Sequence, residues 1–236
     1  MKNRIGHRHV FGSLVPDFNS VVEPELASMR PEGVANQTAR FALDATVLEN
    51  IADAAERMMA CGVESWIVGL ATESFPGGLA LLEQGVALLR ERTGLPTYTP
   101  THAVFAALKA IGATRIGIVT PFDEAANGNV QAAYEAEGFE VASIAGLARP
   151  GFDMIASTED SETIDAFAQV ASPRIETLVQ VGTGLPMLHL VERLEKRFGV
   201  PVVASNQAAY WHALRSAGIA DDVPGAGALL TTPSQR

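Results

Sequence analysis

The chain has 236 residues, 47% of them hydrophobic and 19% charged, and a formal net charge of −10. That supplies enough apolar material for one large core or two lobes of about 100–120 residues each, while the acidic balance argues against a nucleic-acid partner, which needs a basic stripe. Its single cysteine, Cys61, excludes an intrachain disulfide and every cysteine-cluster metal site, and suits a reducing cytoplasm.

In chain order, the N-terminal 18 residues are basic but carry no apolar h-region, so no secretory signal is expected. No apolar run approaches the ~18 residues of a membrane helix. Strands are expected at 9–15, 64–71, 97–99, 115–120, 139–144, 177–182 and 201–204, mostly short, β-branched runs bounded by Gly or Pro, as in buried parallel sheets. Helical periodicity falls between them at 46–60, 78–92, 101–111, 123–137, 185–198 and 206–217. In the first of these, Leu48, Ile51, Ala52, Ala55 and Met59 share a face and Gly62 is the stop. Asn19 before Ser-Val-Val-Glu marks another plausible helix start. Residues 148–161 are expected as an irregular loop, and the Gly-, Pro- and Thr-rich tail after Gly218 as a surface segment.

One stretch occurs twice. Gly94-Leu95-Pro96, six residues and Ala103 match Gly199-Val200-Pro201, six residues and Ala208, 105 residues later. Alternating strands and helices with this duplication predict an α/β protein of two pseudo-symmetric lobes, each a parallel sheet flanked by helices. The ligand cleft is expected between them, outside the carboxyl ends of the strands. The lobe boundaries are expected at 1–102 with 207–236, and at 103–206.

Two turns follow strands at equivalent places, Ala71-Thr72-Glu73-Ser74 and Gly182-Thr183-Gly184, with Thr72 and Thr183 111 residues apart. Backbone amides and hydroxyls there can hold an anion, or the threonines can serve as ordinary helix caps. Gly182-Thr183-Gly184 begins a dinucleotide fingerprint, but Met187 takes the third glycine's place and no acidic residue ends the next strand. Asn19 can present a carboxamide to a carboxylate or cap a helix. Glu23 and Glu25 alternate around Pro24 and are not expected to act as an acid/base pair. His102, His189 and His212 lack metal-ligand spacing, so no metal is expected; His212 is expected to be packed, and Cys61 to be a small core residue. Phe122 should wall the cleft.

These segments carry a resemblance. LVPDFNSVVEPEL is similar to a V-P-x-x-N-T-x-x-E-P-E opening. PVVASNQAAYWHALRSAG is similar to a P-V-x-S-S-N-Q-A-x-x-W-x-x-L-R-x-A-G close, and ALKAIGATRIGIVTPF fits between. Together they resemble the aspartate/glutamate racemase superfamily, in its maleate cis-trans isomerase and arylmalonate decarboxylase branch, over nearly the whole chain. The resemblance implies cofactor-free chemistry on a small carboxylic acid between two lobes, with a cysteine from one or both. Here Ala71 and Gly182 stand in the two cysteine places and Phe122 in that of a tyrosine, and none of them can attack carbon or carry a proton. Asn19, Thr72, Ser74, Phe122, Gly182, Thr183, Gly184 and Asn206 are the expected substrate shell, and Glu73 the candidate acid or base. The expected activity is a thiol-independent isomerisation, decarboxylation or elimination. The alternative is a degenerate dicarboxylate-binding or sensing protein. The expected partner is a small acid, with self-association possible and no membrane.

Overall fold

The computed structural model describes residues 4–231. Two four-stranded parallel sheets carry the fold, with helices on their faces. The first half runs β1 (His9–Pro16), α1 (Val22–Ser28), β2 (Val34–Phe41), α2 (Val47–Met58), β3 (Ser65–Val68), α3 (Gly78–Thr93), β4 (Thr97–Tyr98) and α4 (Pro100–Ile111). The second half repeats this as β5 (Arg115–Thr120), α5 (Glu124–Ala136), β6 (Glu140–Gly146), α6 (Asp160–Val170), β7 (Thr177–Gln180), α7 (Val191–Phe198), β8 (Val202–Ala204) and α8 (Ser205–Ser216). A short α9 (Ala228–Thr231) closes the described chain. Strand order is β2-β1-β3-β4 in one sheet and β6-β5-β7-β8 in the other, so each strand of one half has its counterpart in the other.

The duplicated Gly-x-Pro motif has a mechanical reason. Gly94 and Gly199 end α3 and α7 at φ 69° and 71°, the left-handed region where a side chain would be strained. Their amides donate to Arg90 O and Glu195 O, and the proline then starts the last strand of each sheet. From there α4 and α8 pack against each other, and α8 also packs on α1, β3 and β4 of the first sheet. The central strands β1, β3, β5 and β7 are buried almost throughout, which explains their continuous apolar runs.

Five expectations need correction. Residues 34–41 form edge strand β2; paired on one side alone and partly exposed, it tolerates the polar run Asn36–Gln37–Thr38, which hid it. The 148–161 segment contains a 3₁₀ turn at Phe152–Ser157, and its end opens α6, whose Ile164, Phe167 and Val170 are buried at helical spacing. Helix 185–198 begins six residues late: Pro186 and a 3₁₀ turn at Leu188–Leu190 precede α7. The tail after Gly218 is packed, with Ile219, Val223, Ala226 and Leu230 buried; residues 232–236 lie outside the described part. Cys61 is exposed rather than a core residue, because it lies in the 3₁₀ turn after α2, where Met58 and not Met59 faces the core. No helix among the described residues is long and apolar enough to cross a membrane.

Candidate active-site cleft

Four turns meet at the carboxyl ends of the strands: 16–19 after β1, 70–75 after β3, 121–122 after β5 and 181–184 after β7. They enclose a cavity of about 30 Å³, space for one or two waters at ~10–15 Å³ each. Its walls are largely apolar: Phe18, Leu43, Leu70, Phe75, Phe122, Phe152 and Ile155. Polar side chains enter from Asn19, Ser74 and Thr183, and Gly182 and Gly184 bring backbone to the surface.

An aromatic group closes the mouth. Phe152, on the 3₁₀ turn of the second half, stacks on Phe18 at 5.4 Å between centroids and meets Phe75 edge-on at 6.3 Å. It is 43% exposed, whereas Ile155 of the same turn is buried against the cavity. Beyond this partition lies a second cavity of about 230 Å³ that shares Ser74, Phe75, Phe122, Phe152 and Ile155 with the first.

The polar residues are tied to each other across the two halves. Asn19 Oδ1 accepts the amides of Val21 (2.9 Å) and Val22 (3.1 Å), starting α1, while its Nδ2 donates to Thr183 Oγ1 at 3.2 Å. The Thr183 hydroxyl donates to Gly69 O at 2.9 Å. Asn19 therefore starts a helix with its oxygen, and its amide, beside the cavity, is bonded to Thr183. The backbone amides of Ser74, Thr183 and Gly184 donate to no protein acceptor among the described residues, so both strand-end turns keep donors for an anion.

Three expected site residues do not line this cavity. Thr72 faces an apolar cavity between α2 and α3, its hydroxyl buried without a partner. Asn206 sits behind Thr183, donating from Nδ2 to Thr183 O (3.0 Å) and to Glu25 Oε2 (2.8 Å). Glu73 is 1% exposed and turned away from the cavity: Oε2 accepts the Thr101 hydroxyl of α4 in a short hydrogen bond, and Oε1 has no partner. Burial raises its pKa above the ordinary value, the Thr101 hydrogen bond opposing. Tyr134 of α5 lies close enough to feel this charge; burial first, and Glu73 second, raise its phenol well above its usual value. Glu73 thus belongs to a buried node behind the wall, and as placed it cannot touch a ligand. The turn tightens at Phe75 N→Thr72 O, and Ser74 rather than Glu73 reaches the cavity.

Glu25, set aside on its spacing from Glu23, is the residue the sequence reading missed. Its Oε1 accepts the amides of Met187 (2.6 Å) and Leu188 (2.8 Å), and Oε2 the Asn206 carboxamide. Burial raises its pKa, and these three donors oppose the shift. The carboxylate holds the 183–188 segment of one half against α1 of the other, and it is why α7 starts late. A lone carboxylate in the first turn of a short helix gave no signal of this. Phe18, Phe75 and Phe152 were missed too; only their convergence reveals them.

Gly182, where the resemblance implies a cysteine, has little room for a side chain. Its φ is 110°, and a Cβ there would stand 2.9 Å from Pro121 Cδ and 3.2 Å from Phe122 Cζ. The phenyl ring of Phe122 occupies space that a side chain at 182 would need. Cys61 does not line the cavity, and among the described residues no group of three or more His, Cys, Asp or Glu could hold a metal ion.

Duplicated parallel α/β halves with a cavity at the strand ends define a two-lobed α/β protein. The sequence profile of arylmalonate decarboxylase matches residues 11–230, and the chain belongs to that family. It is 30% identical over 195 residues to the arylmalonate decarboxylase of Bordetella bronchiseptica, covering 82% of this chain and 77% of that one. It is 29% identical over 249 residues to the maleate isomerase of Nocardia farcinica, covering 94% and 96%. A Cys-to-Ser variant of the latter, with a covalently bound succinylcysteine intermediate, superposes at a TM-score of 0.83 with 23% identity, covering 96% and 99%.

Proposed function

We propose that this protein is a cofactor-independent enzyme that takes a small carboxylic acid with an apolar substituent into the cleft and acts on it without a thiol. The observation that carries this reading is the cavity itself. Residues with uncommitted amides, Ser74, Thr183 and Gly184, line a pocket otherwise walled by Phe18, Leu43, Leu70, Phe75 and Phe122. Such a site suits a carboxylate held by backbone N–H groups, with its substituent against the rings.

Decarboxylation of a substituted malonate fits this equipment. The bond from the α-carbon to one carboxylate breaks, CO₂ leaves, and the electron pair delocalises into the remaining carboxylate. The developing oxyanion is what preorganised amides stabilise. A proton from water, through the Ser74 hydroxyl at the cavity wall, completes the exchange. The apolar wall destabilises the carboxylate that leaves as neutral CO₂, while its electron pair passes to the carboxylate held by the amides.

One observation favours a second reading, a binding protein that holds the acid unchanged: no ionisable side chain lines the inner cavity among the described residues. The two are separated by incubating the protein with phenylmalonate, methylmalonate and maleate, following products by proton NMR, and measuring phenylacetate binding by calorimetry. Turnover of a malonate supports the enzyme. Binding without turnover of any acid transfers the assignment to the binding protein, and absence of both would refute the cleft as a carboxylate site.

A further inference from the structure

A cavity of about 580 Å³ lies outside the strand-end cleft, within the size range of small-molecule sites, about 300–1,000 Å³. It is a groove between α1, the 186–189 segment of the second half and the tail at 223–226. It shares no lining residue with either cavity at the cleft. Its walls are apolar, from Val21, Met29, Pro186, Leu188 and Val223. Each wall is tied from behind. Asn19 Oδ1 accepts the Val21 amide, and Glu25 Oε1 accepts those of Met187 and Leu188. On the tail, Ala226 O accepts Gln207 Nε2 at 2.6 Å, and the Gly225 amide donates to Glu192 Oε1 at 3.0 Å. Walls held by the protein's own bonds need little further ordering when a ligand enters.

The charge in this groove has one sign. Glu25 is the one acid lining it, and no lysine or arginine lines it. A carboxylate offers about four lone-pair sites. Here the Met187 and Leu188 amides and the Asn206 carboxamide use three of them, and all three donors are neutral. His189, the other titratable side chain of the lining, turns its Nε2 to Asp160 Oδ1 at 2.8 Å. Burial raises the Glu25 pKa, the signature of a carboxylate short of stabilisation. An ammonium group supplies it, through a charge-assisted bond to the remaining lone pair. The exposed Ser20 hydroxyl at the rim offers a second acceptor. A chain of net charge −10 also concentrates cations at its surface.

We infer that this groove is a second binding site, taking a small organic ammonium compound whose charge meets Glu25 and whose apolar body lies on Val21, Leu188 and Val223. The four-carbon stem of a lysine side chain would fill little of the groove, so the ligand is a free amine with a ring-sized body. The inference is independent of the reading of the inner cavity, because no residue is common to the two sites.

Calorimetry at pH 7.5 with phenethylammonium, its neutral isostere 2-phenylethanol, and butylammonium tests this. The wild-type protein should bind phenethylammonium about 10- to 100-fold more tightly than 2-phenylethanol, the size of one charge-assisted hydrogen bond. Butylammonium, the shape of a lysine tip, should bind more weakly than phenethylammonium. Glu25→Gln should erase the preference for the amine over the alcohol. Ser28→Trp, at the exposed end of α1, should block the groove and weaken both ligands, and it decides the matter should Glu25→Gln not fold. Hydrogen exchange should slow on amine binding in residues 20–29 and 186–189. Equal affinity for amine and alcohol overturns the inference, as does no binding of either. A preference that survives Glu25→Gln, or binding untouched by Ser28→Trp, overturns it too. Tighter binding of butylammonium would assign the groove to a lysine tip instead, and protection confined to residues 70–75 would place the amine in the cleft; either result ends the proposal.

Discussion

Placing a single methyl group at Gly182 probes how much space the turn after β7 leaves for a side chain. In Gly182→Ala the new Cβ meets Pro121 Cδ at 2.9 Å, Pro121 Cγ at 3.0 Å and Phe122 Cζ at 3.2 Å. The proline ring cannot swing away, because its own carbonyl is bonded to the Arg149 amide at 2.9 Å and its ring is part of the backbone. Overpacking of this kind costs about 1–3 kcal/mol. Holding a non-glycine residue at φ 110° costs about 1–3 kcal/mol more. The two together give roughly 2–6 kcal/mol, and for a chain of this size each kcal/mol lowers Tm by about 2–4 °C. Thermal denaturation followed by circular dichroism should therefore show Tm falling by roughly 4–24 °C. Adding Phe122→Leu should recover the part due to the ring, while the part due to Pro121 and to φ remains. A Gly182→Ala protein within about 2 °C of the parent, on the same scale, would refute the steric argument and with it the claim that a cysteine cannot return to this place without Phe122 giving way.

Three other outcomes are expected. Because burial raises the Glu73 pKa in the folded state above its ordinary 4.5, the folded protein binds the proton more tightly than the unfolded chain. Stability is then lost as pH rises from about 4.5 through the folded value. Glu73→Gln keeps an acceptor for Thr101 and should stabilise by about 1–3 kcal/mol at pH 8, with the gain vanishing near pH 4, in urea unfolding at both pH values; equal effects at the two would show that Glu73 does not titrate on folding. Glu25→Ala strands the Met187 and Leu188 amides and the Asn206 carboxamide. It should cost about 2–4 kcal/mol and raise hydrogen exchange in residues 183–188 above the rest of the chain, a localisation that a general loss of stability would not produce. Alkylation of the exposed Cys61 with iodoacetamide should leave acid binding and any turnover unchanged, and protection of this thiol by a bound acid would contradict its place outside the cleft.

The sequence by itself determined the parallel α/β class, the duplication and the strand-end turns. Each of these is written locally, in buried β-branched runs, in left-handed glycines at 94 and 199, and in a proline that opens the next strand. Even α6, read past at Asp160, carries its signal in Ile164, Phe167 and Val170. Edge strand β2 was less legible, because a strand paired on one side is free of the apolar pattern that marks buried ones.

Which side chains face the ligand was decided by tertiary structure alone. Thr72, Glu73 and Ser74 are adjacent in one turn, yet Thr72 faces an apolar cavity, Glu73 reaches Thr101 and Ser74 reaches the cleft. Backbone dihedrals set by Phe75 N→Thr72 O choose among them, and no residue-level preference encodes that choice. Glu25 and Arg149 illustrate the same limit. Their partners Asn206 and Pro121 lie 181 and 28 residues away; the first pairing exists only once the two halves are packed together, the second only once β5 and β6 are paired.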